Sequence, residues 1–151
     1  MLVNTLAQLL ERDLHQLKKE ITSYEDEKLV WMIREGISNS AGNLCLHLVG
    51  NLNHFIGHVL GKSGYTRNRD LEFSAKNIPL AELSKSIDNT IGVVNNALSK
   101  LSDEDLRNNF PLEFHGNTVT NYFMLLHLLA HFNYHLGQIN YHRRLSPGMM
   151  E

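Results

Sequence analysis

Leu80, Leu83, Ile87, Ile91, Val94, Leu98 and Leu101 are separated by three or four residues at every step. A helix turns about 100° per residue, so side chains at those intervals share one face and need an apolar partner surface. Pro79 immediately ahead suits a first helical turn, where a missing N–H goes unneeded. The same pattern recurs. Leu2, Leu6, Leu9, Leu10, Leu14, Leu17 and Ile21 carry it, with Glu11, Arg12, Lys18 and Lys19 opposite, which predicts a first amphipathic helix over about residues 2–23. A polar linker with a short apolar patch at Leu29 to Ile33 leads to Ser38, Asn39 and Ser40, whose side chains offer N-caps for a second helix over about 40–60. The run beginning at Leu80 is the third. Thr118 or Thr120 opens the fourth, and Pro147 and Gly148 stop it near Leu145. Ser102 followed by Asp103, Glu104 and Asp105 reads as a capped acidic start, so a short turn is expected before the extended piece FPLEFHG.

Four long helices with hardly any strand signal predict an all-α fold: an antiparallel four-helix bundle with a long crossover between helices 2 and 3, able to host a site built from facing helices. The stretch from Lys62 to Asn77 lacks periodicity, and loops of that length in compact domains are commonly functional or disordered. Such a crossover lets helices 2 and 3 run parallel. With no repeat, low-complexity tract or shift in composition, the 151 residues are expected to form a single domain. That length buries a core without a disulfide or structural metal, so any bound metal serves function. A formal net charge of −2 and scattered lysine and arginine argue against nucleic acid as a partner. Cys45 is the only cysteine, which leaves no internal disulfide and makes the cytoplasm the expected compartment. The N-terminal segment lacks the basic, apolar and small-residue order of a signal peptide. The apolar stretches around His47 and His127 are broken by histidine and asparagine, short of the ~20 apolar residues of a membrane span.

On the fourth helix His127, His131, His135 and His142 fall in one sector with Gln138 among them, and on the second His47, His54 and His58 fall in a narrower one, beside Gly50, Gly57 and Gly61. Glycines at that stripe admit a close neighbour. A lone histidine is usually a packed side chain bonded to a carbonyl, but two at i, i+4 are surface neighbours roughly 5–6 Å apart at Cβ and can clamp one ion. His131 and His135 meet that condition, and so do His54 and His58. His47 and His54 lie roughly 10 Å apart along a helix, so a single ion uses one or the other. Spacing leaves open whether His47 or one of the later pair completes a site with His131 and His135.

Competing motifs are missing. A zincin needs HExxH, and Phe132 stands where the glutamate would be. A ferritin-like centre needs Glu-x-x-His, and covalent haem needs two cysteines; neither occurs. Cys45 turns about 200° from His47 and is expected to pack as a small hydrophobe. Trp31, Met32 and Ile33 are expected to plug the core beneath the bundle. Arg67, Arg69, Asp70 and Glu72 in the crossover either orient an anionic substrate or pair with one another at the surface. Asn51 and Gln138 are candidates for holding ligand rings or water, Gln138 the better one. His142 is expected to cap the last carbonyls of the fourth helix, where a charged ring is favoured.

Three blocks in order, SNSAGNLCLHLVGNL, RNRDLEFS and HFNYHLGQI, resemble the second helix, the crossover and the HxxxH-Gly-Gln segment of the DinB-like superfamily of metal-binding four-helix bundles. The resemblance implies that His47, His131 and His135 hold one divalent ion, and it assigns no ligand role to His54, His58, His127 or His142. Three histidines leave a coordination position for water or substrate, as catalytic sites do. All-imidazole ligation selects weakly among metals, and zinc or nickel is expected. Relatives in that superfamily include S-transferases using bacillithiol or mycothiol and a mycothiol-dependent maleylpyruvate isomerase. The resemblance therefore implies an activity class, a metal-dependent thiol S-transferase or hydrolase acting on a small electrophilic molecule with a low-molecular-weight thiol as partner; apart from the resemblance, a homodimer is the expected assembly. The alternative is a non-catalytic metal-binding stress-response or dimerisation module. No general base or other catalytic residue stands out.

Overall fold

The computed structural model describes residues 1–148. Its long helices are α1 (Leu2–Thr22), α2 (Ala41–Leu52), α4 (Leu80–Leu98) and α5 (Asn121–Arg144), with a short α3 (Arg69–Ser74) inside the crossover. The fold is all-α, a helical bundle with no named strand among the described residues. Isolated bridges join Asn109 to Thr120 and Phe114 to Asn117, so the expected extended piece folds back on itself before α5. Ser40 and Thr120 are the N-caps of α2 and α5, each side chain accepting from the backbone three residues on. No helix among the described residues is long and apolar enough to cross a membrane.

Side-chain pairs fix the directions of the helices. Lys18 bonds Asp88, while Leu2 and Val3 N–H both donate to Asp103 beyond the end of α4, so α1 and α4 run antiparallel. Asp13 meets Asn133 and Glu20 meets Arg143, so α1 and α5 run parallel. Asn53 bonds Thr90, and a Cβ on Gly61 would sit 2.7 Å from that of Ala97, so α2 and α4 descend together. The bundle is therefore up-down-down-up, with the crossover spanning its length, as a parallel second and third long helix requires. Leu10, Leu14, Leu17, Ile21, Leu48, Leu52, Ile87, Val94, Leu98 and Phe132 are buried in one core, each contributing about 1.5–3 kcal/mol through removal from water.

Several local expectations need correction. The second helix reaches residue 60, but Asn53–Leu60 is π-helical, and Gly61 N–H reaches back to the Ile56 carbonyl. The turn expected at Ser102 is present, with Asp105 N–H donating to Ser102 Oγ ahead of a short 3-10 piece, Asp105–Arg107, but Asp103 within it also caps α1. Only Trp31 of the expected plug is buried, against Gly42; Ile33 is exposed. Cys45 is fully buried, as expected, and burial pushes its thiol up to about 12.

Candidate metal centre

Halfway along α2, His47 points at His131 and His135, one turn apart on α5. One ligand atom from each lies within 4.8 Å of the others. The Nε2 atoms of His47 and His131 are 3.2 Å apart. Two nitrogens each roughly 2.0–2.1 Å from one tetrahedral ion would sit about 3.3 Å apart, so this separation is what shared ligation needs. The rings of His47 and His135 stand at 90° to each other, 5.2 Å between centroids, which keeps them from stacking across the gap.

The outer nitrogens determine what the inner ones can do. His47 Nδ1 lies 3.0 Å from Glu72 Oε1, and Arg67 Nη2 is 3.3 Å from the same nitrogen. Arg67 already donates to both Glu72 oxygens at 2.9 Å, so the shorter carboxylate contact decides: Nδ1–H donates to Glu72 and Nε2 keeps its lone pair. His135 Nδ1–H likewise donates to Gln138 Oε1 at 2.7 Å, leaving its Nε2 as an acceptor. A carboxylate or amide behind each imidazole is the arrangement that orients metal-binding histidines. His131 has no such support; its Nδ1 is buried without a partner among the described residues. Burial, and then the neighbouring His135, His47, His127 and Arg67, lower the His131 pKa to about 4. His47 is also lowered, by burial against the opposing pull of Glu72. Both are neutral near pH 7, the form that binds a metal.

Glu72 reaches His47 because the chain makes room for it. A Cβ on Gly50 would overlap Glu72 Oε2 and lie 2.7 Å from its Cδ. Asn43, one turn before His47, donates to the Glu72 and Ala75 carbonyls at 2.9 Å each and so fastens α3 to α2. Of the alternatives for the crossover charges, Arg67 and Glu72 do pair, bidentately and behind the histidine, with Glu72 buried and Arg67 partly so. Arg69 stacks on Phe73, 5.2 Å from the ring centroid. The role of Glu72 was not singled out from sequence; Gly50 on the stripe beside His47 was the available sign of a close neighbour.

The histidine stripes do not act as units. His54 and His58 stack on each other, centroids 6.1 Å apart, away from the cluster. His127 lines the same cavity as the three, its ring 6.0 Å from that of His131. His142 does not cap α5 as a charged ring. It is buried, its Nε2 donates to the Met32 carbonyl at 2.8 Å and its Nδ1 accepts from the Tyr24 hydroxyl at 2.7 Å, and burial lowers its pKa. Asn51 is buried at the cavity wall with its Oδ1 unpartnered among the described residues. The cavity, about 480 Å³, is walled by Phe55, Arg67, Phe73, Phe114 and His127 beside the three histidines.

The fold and cluster thus define an all-α helical bundle carrying three convergent imidazoles beside a cavity. The chain belongs to the family described as protein of unknown function DUF1572, whose model matches residues 2–146. No curated protein and no solved structure matches it.

Proposed function

We propose that His47, His131 and His135 hold one divalent ion, zinc or nickel, through their Nε2 atoms, and that the chain is a metal-dependent enzyme of DinB-like type acting on a small electrophilic molecule, by thiol transfer or by hydrolysis. The observation that carries the reading is the convergence of one nitrogen from each of three imidazoles, with Nε2 of His47 and of His135 left as acceptors by Glu72 and Gln138. An ion so held supplies Lewis acidity, which lets a water or thiol lose its proton near neutral pH. Glu72 keeps the His47 Nδ1 proton in place and raises the basicity of Nε2. Phe55, Phe73 and Phe114 restrict water around the histidines, and Arg67 balances the Glu72 charge. The cavity of about 480 Å³ favours an enzyme over a purely metal-storing or dimerisation module, which needs no space beside its ligands.

Elemental analysis of protein purified without an affinity tag tests the metal. His47→Ala, His131→Ala and His135→Ala should each lose the ion, while His54→Ala keeps it; equal content in all four removes the site. For activity, metal-loaded protein is incubated with cysteine or glutathione and a fluorogenic haloalkyl bimane. Turnover that requires both metal and His47 is expected, and its failure with thiol and water alike returns the chain to the non-catalytic alternative.

A further inference from the structure

The histidine cavity is lined by formal charge of one sign. Arg67 and Arg69 both stand in its wall, and no aspartate or glutamate lines it among the described residues. Glu72, behind His47, is engaged by His47 and by both donors of Arg67, so the Arg67 charge is balanced. Arg69 is not. It is exposed and forms no ion pair among the described residues. Nothing in α3 calls for a cation at its first position, where the helix dipole favours acidic side chains such as Asp70 and Glu72.

The ring beneath Arg69 places it relative to the histidines. Arg69 Cζ lies 5.2 Å from the centroid of Phe73, and that centroid lies 5.0 Å from the centroid of His47. The guanidinium therefore stands at most about 10 Å from the first of the three imidazoles, a distance one small organic molecule can span. A guanidinium held over an aromatic face keeps its N–H edges free, and those edges take a carboxylate or phosphate.

The remaining wall suits a flat apolar body. Phe73 is beside His47, and Phe114 is beside His127 with 4.5 Å between centroids, so aromatic surface flanks the cavity from both α2 and α5. Met124 and Leu128 add buried apolar surface. A cleft with low-dielectric walls and one uncompensated positive charge concentrates anions, and an aromatic ring gains further from neighbouring phenylalanines.

We infer that the small molecule this cavity takes up is an aryl oxyanion, a planar ring bearing a carboxylate or phosphate. Its charged group sits on Arg69, its ring lies against Phe73, and its far end is directed at the three histidines. That this molecule is the substrate rests on the metal-dependent reading above, whereas its binding does not.

The test uses chelator-treated protein, so that no ion at the histidines can take the oxyanion itself. Wild type is titrated with benzoate, phenyl phosphate and, as an uncharged analogue, benzamide, and the histidine Cε1–H resonances are followed. Benzoate or phenyl phosphate should move the His47, His127 and His131 signals and leave that of His15, exposed on α1, in place; the tighter of the two identifies which oxyanion the site takes. Benzamide should bind at least about threefold more weakly. Arg69→Gln should weaken the better anion by roughly threefold to tenfold and leave benzamide unchanged. Arg69 is exposed, so the substitution spares the core, and the wild-type titrations stand without it. The inference is overturned if neither anion moves the cavity histidines, if benzamide binds as tightly as the better anion, or if Arg69→Gln binds that anion as wild type does. Failure of the metal reading in elemental analysis would leave each of these results unaltered, so the two stand or fall separately.

Discussion

Gly50→Ala sets two magnitudes against each other. In a helix interior, replacing glycine by alanine ordinarily stabilises by about 0.5–1 kcal/mol, through the backbone entropy of the unfolded chain. At position 50 the new methyl would overlap Glu72 Oε2 and lie 2.7 Å from Cδ, against an ordinary carbon contact of roughly 3.5–4.0 Å. The carboxylate would have to retreat by about 1 Å. Its bonds to Arg67 at 2.9 Å and to His47 at 3.0 Å would then stretch beyond hydrogen-bonding reach. Overpacking costs about 1–3 kcal/mol and a lost hydrogen bond to a buried charge about 1.5–3 kcal/mol, so sterics win over propensity. Urea unfolding of metal-free protein should show Gly50→Ala less stable than wild type by about 1–3 kcal/mol. In a Glu72→Ala background, where the obstruction is gone, the same change should stabilise by about 0.5–1 kcal/mol. A gain of stability in the wild-type background, or equal effects in both, would refute the reasoning.

Two further outcomes follow from buried groups. Burial alone would raise the Glu20 carboxyl, but hydrogen bonds from Arg143 at 2.6 Å, Asn140 at 2.8 Å and Gln16 at 3.0 Å, with the Arg143 charge, bring it below its usual 4.5. A carboxylate lowered in the folded state stabilises fully above its unfolded pKa and loses that contribution as pH falls through the folded value. Glu20→Gln should therefore cost about 1–3 kcal/mol at neutral pH, with the gap from wild type closing as pH drops below 4.5; a gap that stays constant in acid counts against it. Cys45, fully buried with its thiol pushed up to about 12, should react with a disulfide reagent only as fast as the chain opens, so labelling within seconds in native buffer would contradict its placement.

The long helices were legible because their apolar residues recur at threes and fours, and the crossover was legible because that rhythm stops. Loop length permitted the parallel course of α2 and α4 but did not require it. Smaller elements left weaker marks. Six residues of α3 cannot show a period, although Asn68, which accepts from Leu71 N–H, and the acidic first turn at Asp70 and Glu72 are the caps expected of a helix start. The π-helical end of α2 shifts its backbone partners by one residue, a change that hydropathy does not mark. His142 looked like a member of the histidine stripe because angle around the axis says nothing about height along it. Seven residues beyond His135, it meets Tyr24 and Met32 instead. Arg34 sits in a linker with no periodicity, and only tertiary packing reveals that its donor edge is covered and unused.

Glu72 rides on the crossover and not on the bundle, and this separates two kinds of change open to the chain. The three imidazoles take their positions from the bundle core, whereas the tilt and proton-holding of His47 come from a short segment fastened by Asn43 and Arg67. Substitutions within that segment can retune one imidazole without repacking a single core leucine. Descendants of this sequence can thus vary the chemistry of the site while inheriting its framework intact.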